Sequence, residues 1–258
     1  MNEIIRDLHR RKSVRVFTDQ EITSKEKKEI LYAAMAAPTA GNQQLYTILD
    51  ITDEELKKKL SVTCDHQPFI AKAKMVLVFC ADLQKWYDVF LEGGCTPRRP
   101  GAGDLMLAVS DTNIAAQNAV TAAQSMGIGS CYIGDIMENC EVHRELLNLP
   151  EYVFPAAMLV FGYPTDQQQE RQKPVRCRLE DIVQENGYRR KSSDELRRMF
   201  DKKCQSVSFE EWSRCFCERK YNSDFAREMS RSVRVYLEAF ADQAANHGKG
   251  KEEGSCGN

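Results

Sequence analysis

The amino-acid sequence predicts an α+β protein, in which helices and short buried strands alternate before a C-terminal part made of helices. Three observations support this class. Capping boxes at Thr23-x-x-Glu26 and Thr52-x-x-Glu55 each open a helical segment. The segments 74–81 and 152–161 are apolar at consecutive positions, as strands buried on both faces are. After residue 186 apolar residues recur every three or four positions, which is helical spacing.

In the first half of the chain the predicted elements follow one another closely. A first helix is expected over residues 2–10. The second helix begins after Thr23 and ends before Pro38, because the residue that precedes a proline avoids the α conformation. A strand, a helix capped by Thr52 and a second strand are then predicted over 45–51, 53–60 and 74–81.

The middle of the chain is predicted to begin with an irregular surface segment over residues 82–103, where glycines and prolines cluster. The helix expected over 104–126 is rich in alanine and poor in charge, so it should be buried in a core or in a subunit interface. Gly127 is expected to end this helix, because glycine readily adopts the left-handed conformation found after a helix C-terminus. A strand, a helix and a further strand are expected over 130–135, 138–148 and 152–161.

The last part of the chain changes character. Helices are predicted over 193–201, 209–220 and 224–241, the last of them capped by Ser223. We therefore predict a core, a helical C-terminal extension and a disordered tail rich in glycine, lysine and glutamate, over residues 1–185, 186–245 and 246–258.

The composition is that of an ordinary globular protein and argues against several classes of function. The 36 Lys and Arg residues nearly balance the 38 Asp and Glu residues, so a net charge of −2 provides no general attraction to nucleic acid or to an anionic membrane. No apolar run approaches the ~20 residues that span a bilayer. The N-terminal residues lack the apolar core of a secretion signal, so a cytoplasmic location is expected.

The sequence contains ten cysteines, which are expected to be reduced and to serve as small packing residues. Cys204, Cys215 and Cys217 have a spacing that matches no common zinc module, so no metal site is predicted.

Common catalytic motifs are absent from the sequence. Gly127-Ile128-Gly129 lacks the third glycine of a dinucleotide fingerprint, and a helix precedes it where the fingerprint needs a strand. His143 is expected on the surface of an amphipathic helix. With four histidines in all, the chain has little material for a histidine-based hydrolase.

Two basic clusters and one amide-rich loop are the remaining candidates for chemistry: residues 10–15, 171–178 and 37–44. In an extended segment Arg11, Ser13 and Arg15 point the same way and present two guanidinium groups and a hydroxyl to one anion. Each cluster alone is more typical of a solvated charge run. Because both flank strand ends in a nearly neutral chain, an anion site is favoured.

Four segments, in this order, resemble elements of the FMN-dependent nitroreductase family, which includes flavin reductases and oxygen-insensitive nitroreductases. They are Arg11-Lys12-Ser13-Val14-Arg15-Val16-Phe17, the loop 37–44, the segment 127–135, and Gly162-Tyr163-Pro164 followed by Lys173-Pro174-Val175-Arg176. The resemblance spans about two thirds of the chain. It implies a three-layer fold with a mixed, mostly antiparallel central sheet flanked by helices. It also implies a homodimer with two FMN sites at the subunit interface.

The resemblance also implies which residues bind FMN. The phosphate and ribityl chain would contact Arg11, Ser13, Arg15, Lys173 and Arg176, with Lys12 adding a contact between them. Thr39 and Asn42 would come from the partner subunit. The isoalloxazine would lie against Gln67, Tyr132, Ile133, Gly134 and Asp135.

Three positions depart from the family pattern. Thr39 stands where a serine is usual, and it keeps the hydroxyl. Asp135 stands where a neutral residue is more common, and an acid near flavin N5 could shift the potential of the flavin. Val175 separates Lys173-Pro174 from Arg176, so Arg176 and Arg178 are alternatives for the second phosphate cation.

The implied reaction is an oxidoreduction by a ping-pong mechanism. NAD(P)H would deliver hydride to flavin N5 and leave, and a small acceptor such as a nitroarene, a quinone or a free flavin would then take its place. A flavin needs no catalytic acid or nucleophile from the protein, which agrees with the lack of a catalytic dyad. The alternatives are another reduction on the same scaffold, such as dehalogenation, and a non-enzymatic FMN or thiol redox sensor.

Overall fold

A sheet of four strands forms the centre of the molecule, seen in a computed structural model that describes residues 2–204 and 206–241. The strands lie in the order β1-β2-β4-β3 and span Tyr46–Asp50 (β1), Met75–Asp82 (β2), Gly129–Ile133 (β3) and Val153–Gly162 (β4). Neighbouring strands pair antiparallel, and in the described residues the one parallel pairing is the isolated bridge between Ser13 and Ser130. The predicted α+β class with a mostly antiparallel sheet is confirmed.

The two central strands are buried at every residue, as their uninterrupted apolar sequences predict. Alternate residues of β2 face opposite sides of the sheet. Leu77 and Phe79 pack with helices on one side, and Val76 and Val78 pack with helices on the other. The sheet is therefore the middle layer of three.

Helices cover both faces of the sheet. Within the described residues they are Glu3–Arg10 (α1), Ser24–Met35 (α2), Glu54–Thr63 (α3), Pro68–Lys72 (α4), Gln84–Glu92 (α5), Ala102–Ser125 (α6), Cys140–Leu147 (α7), Asp166–Glu170 (α8), Leu179–Ile182 (α9), Ser193–Phe200 (α10), Phe209–Lys220 (α11) and Asp224–Glu238 (α12). Short 3-10 helices cover Ala40–Asn42, Asp135–Met137 and Asp201–Lys203. α2 and α6 pack on one face of the sheet, and α3 and α4 lie on the other. None of the helices described is long and apolar enough to cross a membrane.

Two predictions about local structure are wrong. α3 is capped by Asp53, whose carboxylate accepts a hydrogen bond from the amide of Leu56 at 2.7 Å, and not by Thr52. The segment 82–103 is not irregular throughout, because α5 occupies its first half. Trp86, Tyr87 and Phe90 recur at helical spacing, and this is the signal that could have predicted α5, although none of its residues is fully buried.

α6 buries one face and exposes the other. Small residues such as Ala115, Ala116 and Ala119 are fully buried against the sheet. On the other face Met106, Leu107 and Ile114 are exposed by 64%, 53% and 41%. Within one chain the predicted burial is therefore confirmed for one face only, and an apolar strip is left at the surface.

The last described helix joins the C-terminal region to the core. On α12 the ring of Tyr236 packs edge-on against Phe154, with ring centroids 5.1 Å apart. The hydroxyl of Ser232 accepts a hydrogen bond from the amide of Cys140 at 3.0 Å. The predicted helix over 224–241 is confirmed through Glu238. The predicted tail, residues 246–258, lies outside the described residues.

Candidate functional site

The first basic segment runs along the end of the sheet. The amide of Val14 donates to the Ser130 carbonyl at 2.9 Å, and the amide of Thr18 donates to the Tyr163 carbonyl at 2.8 Å. Gly129 allows this close approach, because a Cβ there would lie 2.6 Å from a methyl group of Val14. The backbone of the segment is thus fixed to β3 and to the residues that follow β4.

Replacing Gly129 by alanine is expected to lower the free energy of unfolding by about 1–3 kcal/mol, because the added methyl overpacks against Val14. Urea unfolding of four proteins checks this: the wild type, Gly129→Ala, Val14→Ala and the double variant. Val14→Ala removes both methyl groups from the overlap and leaves Cβ, so the loss in the double variant should be smaller than the sum of the two single losses. Additive losses would contradict this.

Three cations gather where the first basic segment meets the second. Lys173 donates from Nζ to the His9 carbonyl at 3.0 Å, beside Arg11. Burial lowers the pKa of Lys173, and the positive charges of Arg176 and Arg11 lower it further. We call Arg11, Lys173 and Arg176 the cation cluster. Like charges held this close favour a bound anion.

Arg11 carries the clearest sign of a missing partner. Its Nε and Nη2 atoms are buried and have no hydrogen-bond acceptor in the described part of the chain. Its guanidinium lies 5.8 Å from the centroid of the Tyr132 ring. A buried donor without an acceptor is costly, so these two atoms fit an anionic ligand better than they fit a purely structural role.

The structure separates the two alternatives for the last cation. Arg178 donates from Nη2 to Asp201 at 2.5 Å and is thereby engaged in an ion pair. The positive charge of Arg176 lowers the pKa of Lys173. Arg176 forms no ion pair with any residue that the structure describes. The geometry thus favours Arg176 over Arg178 as the member of the cation cluster.

Side-chain hydrogen bonds to backbone carbonyls hold the two basic segments together. Lys12 donates from Nζ to the Gln169 carbonyl at 2.6 Å and also to the Arg171 carbonyl. Arg171 donates in turn to the carbonyl of Ser13. The ammonium of Lys12 therefore positions the loop and has carbonyl partners of its own.

Arg15 lies at a different place from the cation cluster. Its guanidinium is 5.9 Å from the centroid of the Phe69 ring, at the start of α4. Gln67 is the N-cap residue of α4, and its side-chain nitrogen donates to the Cys64 carbonyl at 2.9 Å. Arg15 and Gln67 thus each have a contact near the start of α4.

The residues predicted to flank the isoalloxazine follow one another at the end of β3. Gly134 is exposed, Tyr132 and Asp135 are half-buried, and Ile133 is buried with its side chain in the core. Ile133 can therefore offer its backbone but not its side chain. Burial raises the pKa of Tyr132 to about 12, against the opposing effect of the positive charge of Arg11.

The loop with Thr39 and Asn42 is anchored by a residue that the sequence analysis missed. Asp111, on α6, is 4% exposed and accepts hydrogen bonds from the Thr39 hydroxyl and from the amide of Ala40 at 3.1 Å. Asn42 is exposed and left-handed, with φ at 56°. In the described residues of one chain, no hydrogen bond or ion pair joins this loop to the cation cluster. An acid in the middle of an alanine-rich helix is the signal that could have revealed Asp111, since buried acids are nearly always paired.

The prediction that His143 lies on the surface is wrong. His143 is fully buried, and its Nε2 atom accepts from the Thr63 hydroxyl at 2.8 Å while Nδ1 donates to the Ile136 carbonyl at 3.0 Å. Burial lowers its pKa and favours the neutral ring. His143 therefore fixes the start of α7 against α3.

Glu138 is a second buried titratable group near the end of β3. It is 5% exposed, and its Oε1 atom has no hydrogen-bond partner in the described residues. Burial, together with the negative charges of Asp135, Asp65 and Glu228, raises its pKa from the ordinary value of 4.5 to about 7. The folded protein thus favours the protonated side chain.

Glu138→Gln is expected to stabilise the protein by about 2–3 kcal/mol more at pH 8 than at pH 5, relative to the wild type. The raised pKa means that the contribution of Glu138 to stability is present below pH 4.5 and is lost as the pH rises to 7. Denaturant unfolding at both pH values measures the difference. Glu141→Gln is the control, because its pKa of about 2 keeps Glu141 ionised throughout this range. Equal differences at the two pH values for Glu138→Gln would contradict the prediction.

The described cysteines differ in burial, and Cys177 and Cys204 are half-buried. Cys64, Cys80, Cys131 and Cys140 are buried, and burial raises the pKa of Cys80 to about 12. Cys95, Cys215 and Cys217 are exposed, so the prediction of packing thiols is wrong for them. In the described part of the chain no group of three or more acidic, histidine or cysteine side chains could hold a metal ion.

The sequence profile of the nitroreductase family matches residues 8–163, which hold the first basic segment, the loop of Thr39 and Asn42, and β3. The chain belongs to the nitroreductase family. The resemblance inferred from the four sequence segments is therefore confirmed.

Curated relatives and solved structures agree with the family. A Bacillus subtilis protein named FMN reductase (NADPH) is 30% identical over 94% of this chain and 98% of its own. An oxygen-insensitive NADPH nitroreductase of Salmonella typhimurium is 37% identical over 69% of this chain and 71% of its own. The solved structure of Bacillus megaterium NfrA2 is similar with a TM-score of 0.81 and 28% identity, over 93% of this chain and 98% of that one.

Proposed function

We propose that this nitroreductase family member reduces small acceptors by a ping-pong mechanism, with NAD(P)H and the acceptor using one site in turn. FMN is its cofactor and NAD(P)H its co-substrate, as for relatives named FMN reductase (NADPH) and NADPH-flavin oxidoreductase. The acceptors that we propose are nitroaromatics, quinones and free flavins. When bound, FMN supplies the redox chemistry: it takes two electrons from NAD(P)H and passes them to the acceptor.

The observation that carries this proposal is the pair of buried Arg11 nitrogen atoms, near Lys173 and Arg176, that have no hydrogen-bond partner among the residues described. These donors fit the phosphate of FMN, because guanidinium groups bind phosphate in a planar, bidentate manner. The protonated side chains would neutralise the phosphate charge. The Lys12 and Arg171 bonds to backbone carbonyls keep the two basic segments at the spacing that this requires.

A homodimer completes the proposed site. The exposed apolar strip of Met106, Leu107 and Ile114 on α6 supports an interface between subunits. Asp111, on the same helix, would hold the loop so that Asn42 contacts the FMN of the other subunit. An obligate interface of this kind usually buries more than about 2,000 Å² in total.

The residues of the chain then have binding and positioning roles, and none acts as a catalytic acid or nucleophile. Gly134 has no side chain, so it keeps the space beside the proposed isoalloxazine site open. Arg15 and Gln67 would contact the ring system from the start of α4. The acceptor would then stack on the open face of the flavin.

Steady-state oxidation of NADPH and NADH with added acceptors tests the proposal. We expect turnover well above that of free FMN, and parallel lines in double-reciprocal plots, as a ping-pong mechanism requires. Lines that intersect would contradict the shared site. Turnover no better than that of free FMN would favour the redox-sensor alternative. Halide release from halogenated aromatics, with no reduction of nitroarenes, would favour dehalogenation.

A further inference from the structure

We propose that a cavity between α5 and the first turns of α6 binds the ring of an aromatic electron acceptor, an inference that rests on the proposed function. This aromatic cavity has a volume of about 380 Å³. Its walls include Trp86, Tyr87, Phe90, Pro97, Pro100 and Leu107. A volume at the small end of the range for ligand sites suits the ring part of a ligand, a group of one or two rings.

The aromatic walls are held in place by contacts with one another and with neighbouring residues. Trp86 donates from Nε1 to the Gln43 carbonyl at 2.8 Å, which fixes the plane of the indole. Its ring centroid lies 5.7 Å from that of Phe90. Tyr87 packs edge-on against Tyr152 with centroids 5.3 Å apart. A preorganised set of aromatic faces suits a planar ring, which can stack on them without first reordering the side chains.

Core packing accounts for only part of this set, because Trp86 and Tyr87 pack against the apolar core and Phe90 does not. α5 carries Trp86, Tyr87 and Phe90 within five positions, yet no residue of this helix is fully buried. Phe90 itself is 39% exposed. A helix that holds three large rings at a partly open cavity is typical of a binding surface.

The rim of the cavity is polar and rigid. Arg98 and Asp104 form a two-bond ion pair at 2.5 and 2.9 Å, and Asp104 also accepts from the amide of Gly101 at 2.7 Å. Few polar groups around an apolar interior give orientation to a ring with a polar substituent. Nitroarenes and quinones are rings with polar substituents of this kind.

The cavity adjoins the loop that contains Asn42, because Gln43 lines the cavity wall. Gln43, whose carbonyl holds Trp86, directly follows the Ala40–Asn42 helix. Asn42 is the residue that we propose to contact the FMN of the other subunit. An aromatic acceptor in the cavity would therefore lie beside the loop that borders that flavin, and the cavity would select for aromatic acceptors.

Acceptor competition tests this inference, with 1,4-naphthoquinone as the aromatic acceptor and ferricyanide as the non-aromatic one. We expect Phe90→Ala to lower the ratio of kcat/KM for naphthoquinone to that for ferricyanide about 5- to 10-fold, mainly through KM, since one lost aromatic contact accounts for that range. Phe90→Trp should keep the ratio. Val89→Ala is the matched control, because Val89 is on the same helix, 56% exposed and outside the cavity.

The outcomes separate this inference from the proposed function. A wild type that reduces neither acceptor with NAD(P)H would overturn both. A wild type that reduces both acceptors, with Phe90→Ala leaving the ratio unchanged, would overturn the inference alone. Equal losses for both acceptors in Phe90→Ala would also overturn it, because the cavity would then have no preference for a ring. FMN content of each variant shows whether the fold is retained.

Discussion

Replacing Arg176 by alanine is expected to weaken FMN binding about 10- to 150-fold, because a lost charge-assisted contact to a phosphate is worth about 1.5–3 kcal/mol. Arg176 is exposed and forms no ion pair within the described residues, so the loss should reflect the ligand and not the fold. Lys173→Ala should give a loss of the same size. Fluorescence titration of the apoprotein with FMN measures both affinities.

Arg178→Ala is the matched control for this prediction. Arg178 has the same side chain, lies two residues away and is paired with Asp201. Its loss removes an exposed ion pair, which is worth at most about 1 kcal/mol of stability, and should leave FMN affinity unchanged. Equal losses of affinity from Arg176→Ala and Arg178→Ala would mean that the segment is destabilised in general, and would contradict the cation cluster as a phosphate site.

Mixed dimers are expected to recover one intact flavin site when one subunit carries Asn42→Ala and the other Arg176→Ala. If each site takes Arg176 from one chain and Asn42 from the other, both lesions fall in one site and the second site is wild type. Each mutant homodimer has two damaged sites. Differently tagged subunits, refolded together and separated on both tags, allow the high-affinity FMN sites to be counted.

The count of sites distinguishes the possible arrangements. One wild-type site per mixed dimer supports a site shared between subunits. No wild-type site would mean that both residues act within one chain, since every site would then carry one lesion. A protein that stays monomeric and still binds FMN would contradict the shared site directly.

Much of the fold could be predicted because it depends on local patterns. The consecutive apolar residues of β2 and β4 predict strands with two buried faces, and every residue of both strands is buried. The capping box of Thr23 and Glu26 opens α2 as expected, with the Glu26 amide donating to the Thr23 hydroxyl at 3.2 Å. Such signals are contained in a few neighbouring residues, so no tertiary information is needed.

The features that sequence reasoning missed depend on distant partners. Asp111 is buried because it binds a loop about seventy residues earlier in the chain, and His143 is buried because Thr63 and Ile136 satisfy its ring nitrogens. A general preference of polar residues for the surface cannot anticipate such pairs. In the same way, the ion pair between Arg178 and Asp201, which favours Arg176 as the proposed phosphate contact, depends on a residue 23 positions away and could not be read from the basic segment itself.

The absorption spectrum of the purified protein, recorded before and after anaerobic addition of NADPH, tests the central claim most directly. The account predicts a yellow protein with one FMN per chain, which is released on denaturation and whose visible absorption is bleached by NADPH. A colourless protein that takes up no FMN on titration would contradict the account. So would a yellow protein whose flavin neither NADPH nor NADH reduces.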